Sequence, residues 1–267
     1  MKNPTKIILI LAVLLSSCSH YYYVANIQNV PLFKEKNELR FTGAFSAGDE
    51  SQGIEVQTAY SITDNIGIMA DYMHVNGGDV SGKDYGKGNY YDGAIGYYKP
   101  IKEYGVFEIY GGLGGSNQHH EYSSFSYDYN TGAYHDVYDG KSDLSFMNFF
   151  IQPSCGITFD FFDVAFSTRF CIVSFTNVEK NISGNTILYD EINTISDKSY
   201  YYLEPAITVR GGWKYIKAQF QASYTGNINN PRVYIGEEAH ISFGLFFTLA
   251  KRLKKNVINP ENEAFKQ

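Results

Sequence analysis

The stretch Gly53–Val75 constrains the fold more than any other. Ile54, Val56, Thr58, Tyr60 and Ile62 share one face, and Glu55, Gln57, Ala59 and Ser61 share the other. After Thr63-Asp64-Asn65, Ile66, Ile68, Ala70 and Tyr72 alternate in the same way with Gly67, Met69, Asp71 and Met73. A side-chain period of two is the signature of a strand. Asp-Asn between two such runs is turn chemistry, so the stretch reads as a hairpin with one apolar and one polar face.

The design recurs along the chain. Alternation predicts ten strands, at 39–46, 53–62, 66–75, 90–99, 106–115, 144–158, 164–175, 199–210, 215–224 and 238–249. The segments between them alternate in kind. Those around Asp64, Lys102, Phe161 and Gly211 are short turns. Most of the others are long and polar: a Gly-rich loop at 76–89, the longest loop at 116–143, a polar stretch ending at Lys198, and 225–236. Pro153 has no amide to donate to a ladder, so a bulge is expected there.

Periodicity alone does not say which face meets solvent. A soluble sandwich would turn the apolar face inward. A transmembrane barrel turns it outward and keeps small and polar residues inside. Strands of about ten residues suit a tilted crossing of the hydrocarbon. Short turns alternating with long loops suit the two sides of an outer membrane. Tyr60, Tyr97, Tyr98, Phe161, Phe162, Trp213, Tyr215 and Phe247 gather near strand ends, as interfacial girdles do. The expected fold is therefore all-β, an antiparallel up-and-down transmembrane barrel of about ten strands over residues 38–250. The strand of Phe41 should close on the strand of Phe243. Both termini should be periplasmic, as an even strand count requires.

The polar faces carry Asp71, Asp92, Glu108, Arg169, Glu204, Arg210 and Lys217. In a narrow lumen these charges are expected to brace the structure in pairs, because an unpaired buried charge is costly. Glu204 in particular should meet Arg169 or Arg210.

Residues 1–17 have the form of an export signal. Lys2 and Lys6 precede an apolar run, Ile7–Leu15, too short to span a bilayer as a helix. The run ends in Leu15-Ser16-Ser17-Cys18, which resembles the bacterial lipobox. That resemblance implies that Cys18 becomes the mature N-terminus and carries lipid, whose chains add about 0.8 kcal/mol per buried methylene. No acidic cluster follows Cys18, so a periplasm-facing anchor is expected. Residues 18–37 form a leader with Tyr21-Tyr22-Tyr23, Asn26, Asn29 and Val30-Pro31-Leu32-Phe33. Without periodicity it is either a tether or a segment tucked into the barrel mouth. This leader and Ser61–Gly67 resemble outer-membrane β-barrel proteins of Bacteroidetes-type bacteria, a resemblance that implies the fold and no particular activity. Residues 251–267 read as a polar, disordered periplasmic tail.

A net charge of −6, with no long basic run, argues against nucleic acid as a partner. The mean hydropathy of −0.27, with no long apolar run after the first, excludes a helical membrane protein. No catalytic or phosphate-binding motif is present, and no cofactor is expected. His119, His120 and His135 match no standard metal spacing and read as solvated loop residues. His74, near the external end of the third strand, reads as a girdle residue. Cys155 and Cys171 fall on opposite faces, which argues against a bridge. The function these features suggest is non-enzymatic, in the outer membrane, with loops 76–89 and 116–143 touching surface ligands. A lipid-modifying enzyme and a lipid-tethered periplasmic sandwich are the alternatives.

Overall fold

The computed structural model describes residues 21–78, 85–129, 132–183, 186–196, 198–229 and 236–249. The signal segment, Cys18 and the tail at 251–267 lie outside these. The strands are β1 (Leu39–Gly48), β2 (Ser51–Ser61), β3 (Ile66–Gly78), β4 (Tyr85–Ile101), β5 (Gly105–Asp128), β6 (Ala133–Thr158), β7 (Phe162–Ile182), β8 (Ser199–Trp213), β9 (Ile216–Tyr224), β10 (Gly226–Asn227) and β11 (Ala239–Thr248). Helix α1 (Thr186–Ile195) sits between β7 and β8.

Each long strand pairs antiparallel with the next long one, β9 with β11 included, and β1 closes on β11 through Phe41–Phe247 and Phe45–Phe243. The two-residue β10 continues the line of β9 against β8. The result is a closed up-and-down barrel of ten long strands, which leaves the periplasmic sandwich no place. Ile54, Ile95, Phe45, Leu113 and Phe243 all point outward, each more than half exposed. Glu55, Gln57, Arg169, Glu204 and Gln221 point inward and are buried. An apolar exterior around a polar interior is the inverse of a soluble protein, and lipid is the solvent that satisfies it. Phe161, Phe162 and Trp213 are exposed at the short-turn end, and Tyr72, Tyr91, Tyr201 and Tyr224 are exposed nearer the other. Tyr91, Tyr72 and His74 share side-chain hydrogen bonds with Asn117 and Asn89 at that upper level. His74 thus belongs to the girdle.

Four expectations are corrected. Tyr98, expected in the girdle, is buried and turns inward beside Phe33. The segment 116–143 is not a loop. β5 and β6 run on together, from His119–Asp143 to Asp128–Ala133, as one hairpin. Beyond His119 that hairpin extends about 30 Å along the strand direction at ~3.4 Å per residue. The Gly-rich segment is also largely strand, with β3 and β4 paired out to Gly78–Tyr85. Finally, Pro153 makes no bulge. Pairing with β7 lapses at Gln152 and Pro153 and resumes at Ser154–Ser167 in unchanged register. One missing donor is absorbed as a gap in the ladder. The register shifts fall elsewhere, near Tyr122 and near Ser145.

Helix α1 occupies part of the expected polar loop. Leu188, Ile192 and Ile195 are buried at i, i+4 and i+7, the stripe a helix turns toward a core. They join a cluster with Val173, Phe175, Tyr200 and Tyr22 at the long-loop mouth.

Candidate functional site

The barrel's interior is occupied by its own leader. Residues Tyr22–Phe33 are buried without a break. They form no regular ladder, so their backbone groups need other partners. Lumen side chains supply them. Ile27 N donates to Glu55 Oε2 at 2.7 Å, and Gln57 Nε2 donates to Ile27 O at 2.8 Å. Gln28 and Gln221 exchange a reciprocal pair, Gln28 N to Gln221 Oε1 at 2.6 Å and Gln221 Nε2 to Gln28 O at 2.9 Å. Gln152 Nε2 donates to Asn29 O, Arg210 Nη2 to Val30 O, and Phe33 N to Glu108 Oε1. Strand alternation explains why the donors and acceptors are there: each belongs to the inward set of its strand.

The leader's own side chains complete the arrangement. Asn29 Nδ2 donates to Asp71 Oδ1 at 2.7 Å, and Asn26 Nδ2 to Asp92 Oδ2 at 3.1 Å. Asp71 and Asp92 face each other across β3 and β4, so each needs a donor from the leader. Arg169 Nη1 donates to Asn26 Oδ1 at 2.6 Å, while its Nε and Nη2 hold Gln152 Oε1. The same guanidinium lies 4.7 Å from the centre of the Phe150 ring and 3.9 Å from Glu204 Oε2. Glu204 Oε1 accepts the Tyr23 hydroxyl at 2.7 Å.

The two ends differ. At the long-loop end Tyr23 stacks on Tyr202 with ring centres 4.6 Å apart, and Tyr22 packs edge-on against His120. There Glu237 N donates to Tyr23 O. The Glu237 carboxylate accepts the amides of Glu50 and Ser51 and the Ser51 hydroxyl. Burial pushes that carboxyl above the ordinary range, and the Ser51 hydroxyl and the two amides pull it back. At the short-turn end Leu32 takes φ +51° and packs with Val30, Val106 and Ala165. Lys34 Nζ then caps the carbonyls of Glu103 and Thr158. A cavity of about 460 Å³ opens below, lined by Lys34, Arg40, Asp163 and Lys217 among others.

All seven sequence-predicted lumen charges are buried and inward. Six of them, all but Lys217, bond the leader. Asp71, Asp92 and Glu108 are held by the leader. Arg169 has the one cross-strand acid partner expected of it, Glu204, at long range. Arg210 lies 3.8 Å from the Phe246 ring and 3.9 Å from Asp163, and Lys217 pairs with Asp163 at 2.6 Å. The acids Glu55 and Asp163 were passed over. Glu55 stands on the polar face of the template hairpin, a position that did signal it, whereas Asp163 reads as a turn residue. Cys155 is exposed and Cys171 buried, both as free thiols. Outside the barrel wall, His119 is held at both ring nitrogens, by Asp143 at 2.7 Å and Glu121 at 3.4 Å.

The barrel wall begins and ends at the short-turn end, where Leu249 N bonds Leu39 O, while Tyr22 of the leader sits at the long-loop mouth. The chain termini lie outside the described residues.

No family model and no curated protein matches the chain. Among solved structures, a KdgM porin shares 8% identity over 78% of this chain and 98% of its own, with a TM-score of 0.37. The outer membrane protease OmpT from Escherichia coli shares 9% over 80% and 94%, with a TM-score of 0.42. An outer membrane channel from Pseudomonas putida F1 shares 10% over 83% and 100%, also at 0.42. The class of the protein rests on its own geometry: an outer-membrane type of β-barrel, apolar outside, whose lumen is filled by its own N-terminal segment.

Proposed function

We propose that this chain is a non-enzymatic outer-membrane lipoprotein, anchored through Cys18, whose barrel serves as a rigid mount and whose β5–β6 hairpin is a surface contact element. The observation that carries this reading is the filled lumen. Residues Tyr22–Phe33 are buried throughout, and Asn26, Ile27, Gln28, Asn29 and Val30 all bond lumen side chains. The lumen charges then act as structural braces for the leader. The contact surface lies where β5 and β6 leave the wall. Tyr127, Tyr129 and Tyr138 are exposed there beside Ser126 and His135. Rigid aromatic surfaces mixed with small polar groups suit protein or glycan contact.

Planar-bilayer recording on the purified protein tests the filled lumen: a silent membrane is expected, and steady ohmic conductance would overturn it. A variant lacking the hairpin tip, residues 122–140, should insert and fold like the parent yet lose binding to the cell-surface fraction that the parent captures. Undiminished capture would remove the hairpin from the reading.

A further inference from the structure

The leader crosses the barrel in one direction only. Tyr22 and Tyr23 pack at the long-loop mouth against His120, Tyr202 and the Gly236–Glu237 segment. Asn26 to Val30 lie among the mid-barrel polar residues of β2 to β4, β6 to β9. Lys34 reaches the carbonyls at the short turns, after which β1 begins. The twelve steps from Tyr22 to Lys34, at up to about 3.3 Å each, can reach some 40 Å, the thickness of a membrane with its headgroups. The leader is thus a transmembrane segment in its own right, sheathed by protein.

We propose that the acylated N-terminus emerges at the long-loop mouth, so that the lipid on Cys18 inserts into the leaflet that faces the long loops. The inference rests on the lipoprotein reading above and reverses the side on which the anchor was expected. Three peptide units separate Cys18 from Tyr21, a reach of about 11 Å at most. A return to the short-turn side would need roughly four times that length. It would also need a second path, and the lumen is full, while a path outside the wall would leave backbone amides unsatisfied in hydrocarbon. The exit is held in place. Tyr23 pairs with Gly236 in an isolated parallel bridge and accepts the Glu237 amide, and Glu237 is itself stapled to Glu50 and Ser51. Only Asp49 and Glu50 join β1 to β2 there, so this is a low stretch of the rim over which an acyl group can reach the bilayer. Long loops face the cell exterior in barrels of this kind. The partner is accordingly the external lipid leaflet, and the anchor and the barrel grip the membrane from opposite sides of one thread.

The test uses the full-length protein in its own cells. One epitope is inserted after Ser19, a second at the β5–β6 tip, a third after Gln267, each in a separate strain. Acylation of Cys18 is read by mass spectrometry on the same preparations. Antibody should stain the first two strains equally before and after permeabilisation, and the third only after it. A hidden first epitope with an exposed hairpin epitope and acylated Cys18 overturns the thread alone. A hidden hairpin epitope shows that the orientation is wrong, and unmodified Cys18 shows that the lipoprotein reading is wrong; each also ends the leaflet assignment. Because an insertion can disturb the leader, Tyr23→Cys/Gly236→Cys provides a second readout. Removing the Tyr23 ring gives Tyr202 room beside the new side chain. Oxidation should shift the migration of the heat-denatured, unreduced protein and of neither single variant. No shift, with folding intact, refutes the seating of Tyr23 at that mouth.

Discussion

Arg169 is the fully buried cation that joins the leader to the wall, bonded to Asn26 and Gln152 and 3.9 Å from Glu204. Replacing it by Met keeps much of the side-chain length over Phe150 and removes the charge. Asn26 then loses its charged donor, Gln152 loses both guanidinium contacts, and Glu204 is left without its cation. Breaking one partner of a buried ionic cluster costs about 3–5 kcal/mol. At this chain length 1 kcal/mol moves Tm by roughly 2–4 °C, so Arg169→Met should lower Tm in detergent by about 6–20 °C. Glu204→Gln should cost less, because the amide oxygen still accepts the Tyr23 hydroxyl. It also removes the acid that Arg169→Met strands, so the double variant should lose at least about 0.5 kcal/mol less than the sum of the single losses. Urea unfolding followed by circular dichroism in one detergent gives all four corners of the cycle. Additive losses, or an Arg169→Met protein as stable as the parent, would refute the idea that the lumen is held by this cation.

Four shorter predictions follow from other parts of the barrel. Excising 21–36 while keeping Cys18 should turn a silent protein into a conducting one in planar bilayers; continued silence means that something other than the leader closes the lumen. Ile95→Arg puts a charge on the lipid face and should cost about 2–4 kcal/mol near the bilayer midplane, read as lower refolding yield into vesicles. Gly96→Val should fold poorly, because a Cβ there would meet Ile109 O at 2.3 Å and the Tyr110 ring at 2.5 Å, whereas Gly111→Ala meets nothing within 4 Å and should fold normally. Asn29→Asp sets a carboxylate against Asp71 and should raise protease cleavage within the leader, with no change expected in the strands.

How much of this was legible in the sequence depends on what solvates each residue. Inside the membrane every strand has lipid on one side and a crowded polar lumen on the other. Alternation is therefore strict, and the faces of Ile54 and Glu55, or of Phe170 and Arg169, can be read directly. Above the membrane, water lies on both sides of the β5–β6 hairpin. Nothing then forces Ser123, Tyr127 or Tyr138 to alternate with apolar partners, and the same pleated pairing reads as a loop. Helix α1 was hidden for a related reason: its three inward residues, Leu188, Ile192 and Ile195, make one short stripe in a polar stretch. The lumen charges were legible as inward residues. Their partners were not, because the partners belong to the leader.

The leader is silent to periodicity because its surroundings have none. A strand in a sheet meets two neighbours in a repeating pattern, but the leader meets eight or more strands, each with a different inward residue at its level. Asn26, Gln28, Asn29 and Pro31 look like loop residues for that reason, and only their surroundings show that, of tether and tucked segment, the second describes them. This has a consequence for assembly. β1 follows the leader directly and closes on β11, the last strand made. Once those two strands zip from Arg40–Thr248 to Gly48–His240, twelve buried residues can enter only lengthwise through a mouth. Each of Asp71, Asp92, Glu55 and Glu108 would meanwhile stand without its leader donor in a closed lumen. Folding the wall around the leader avoids both costs. A leader supplied in trans as a peptide should therefore rescue an excised barrel when added before refolding and fail when added after closure, as read by conductance; equal rescue in either order would show that the mouth admits the thread.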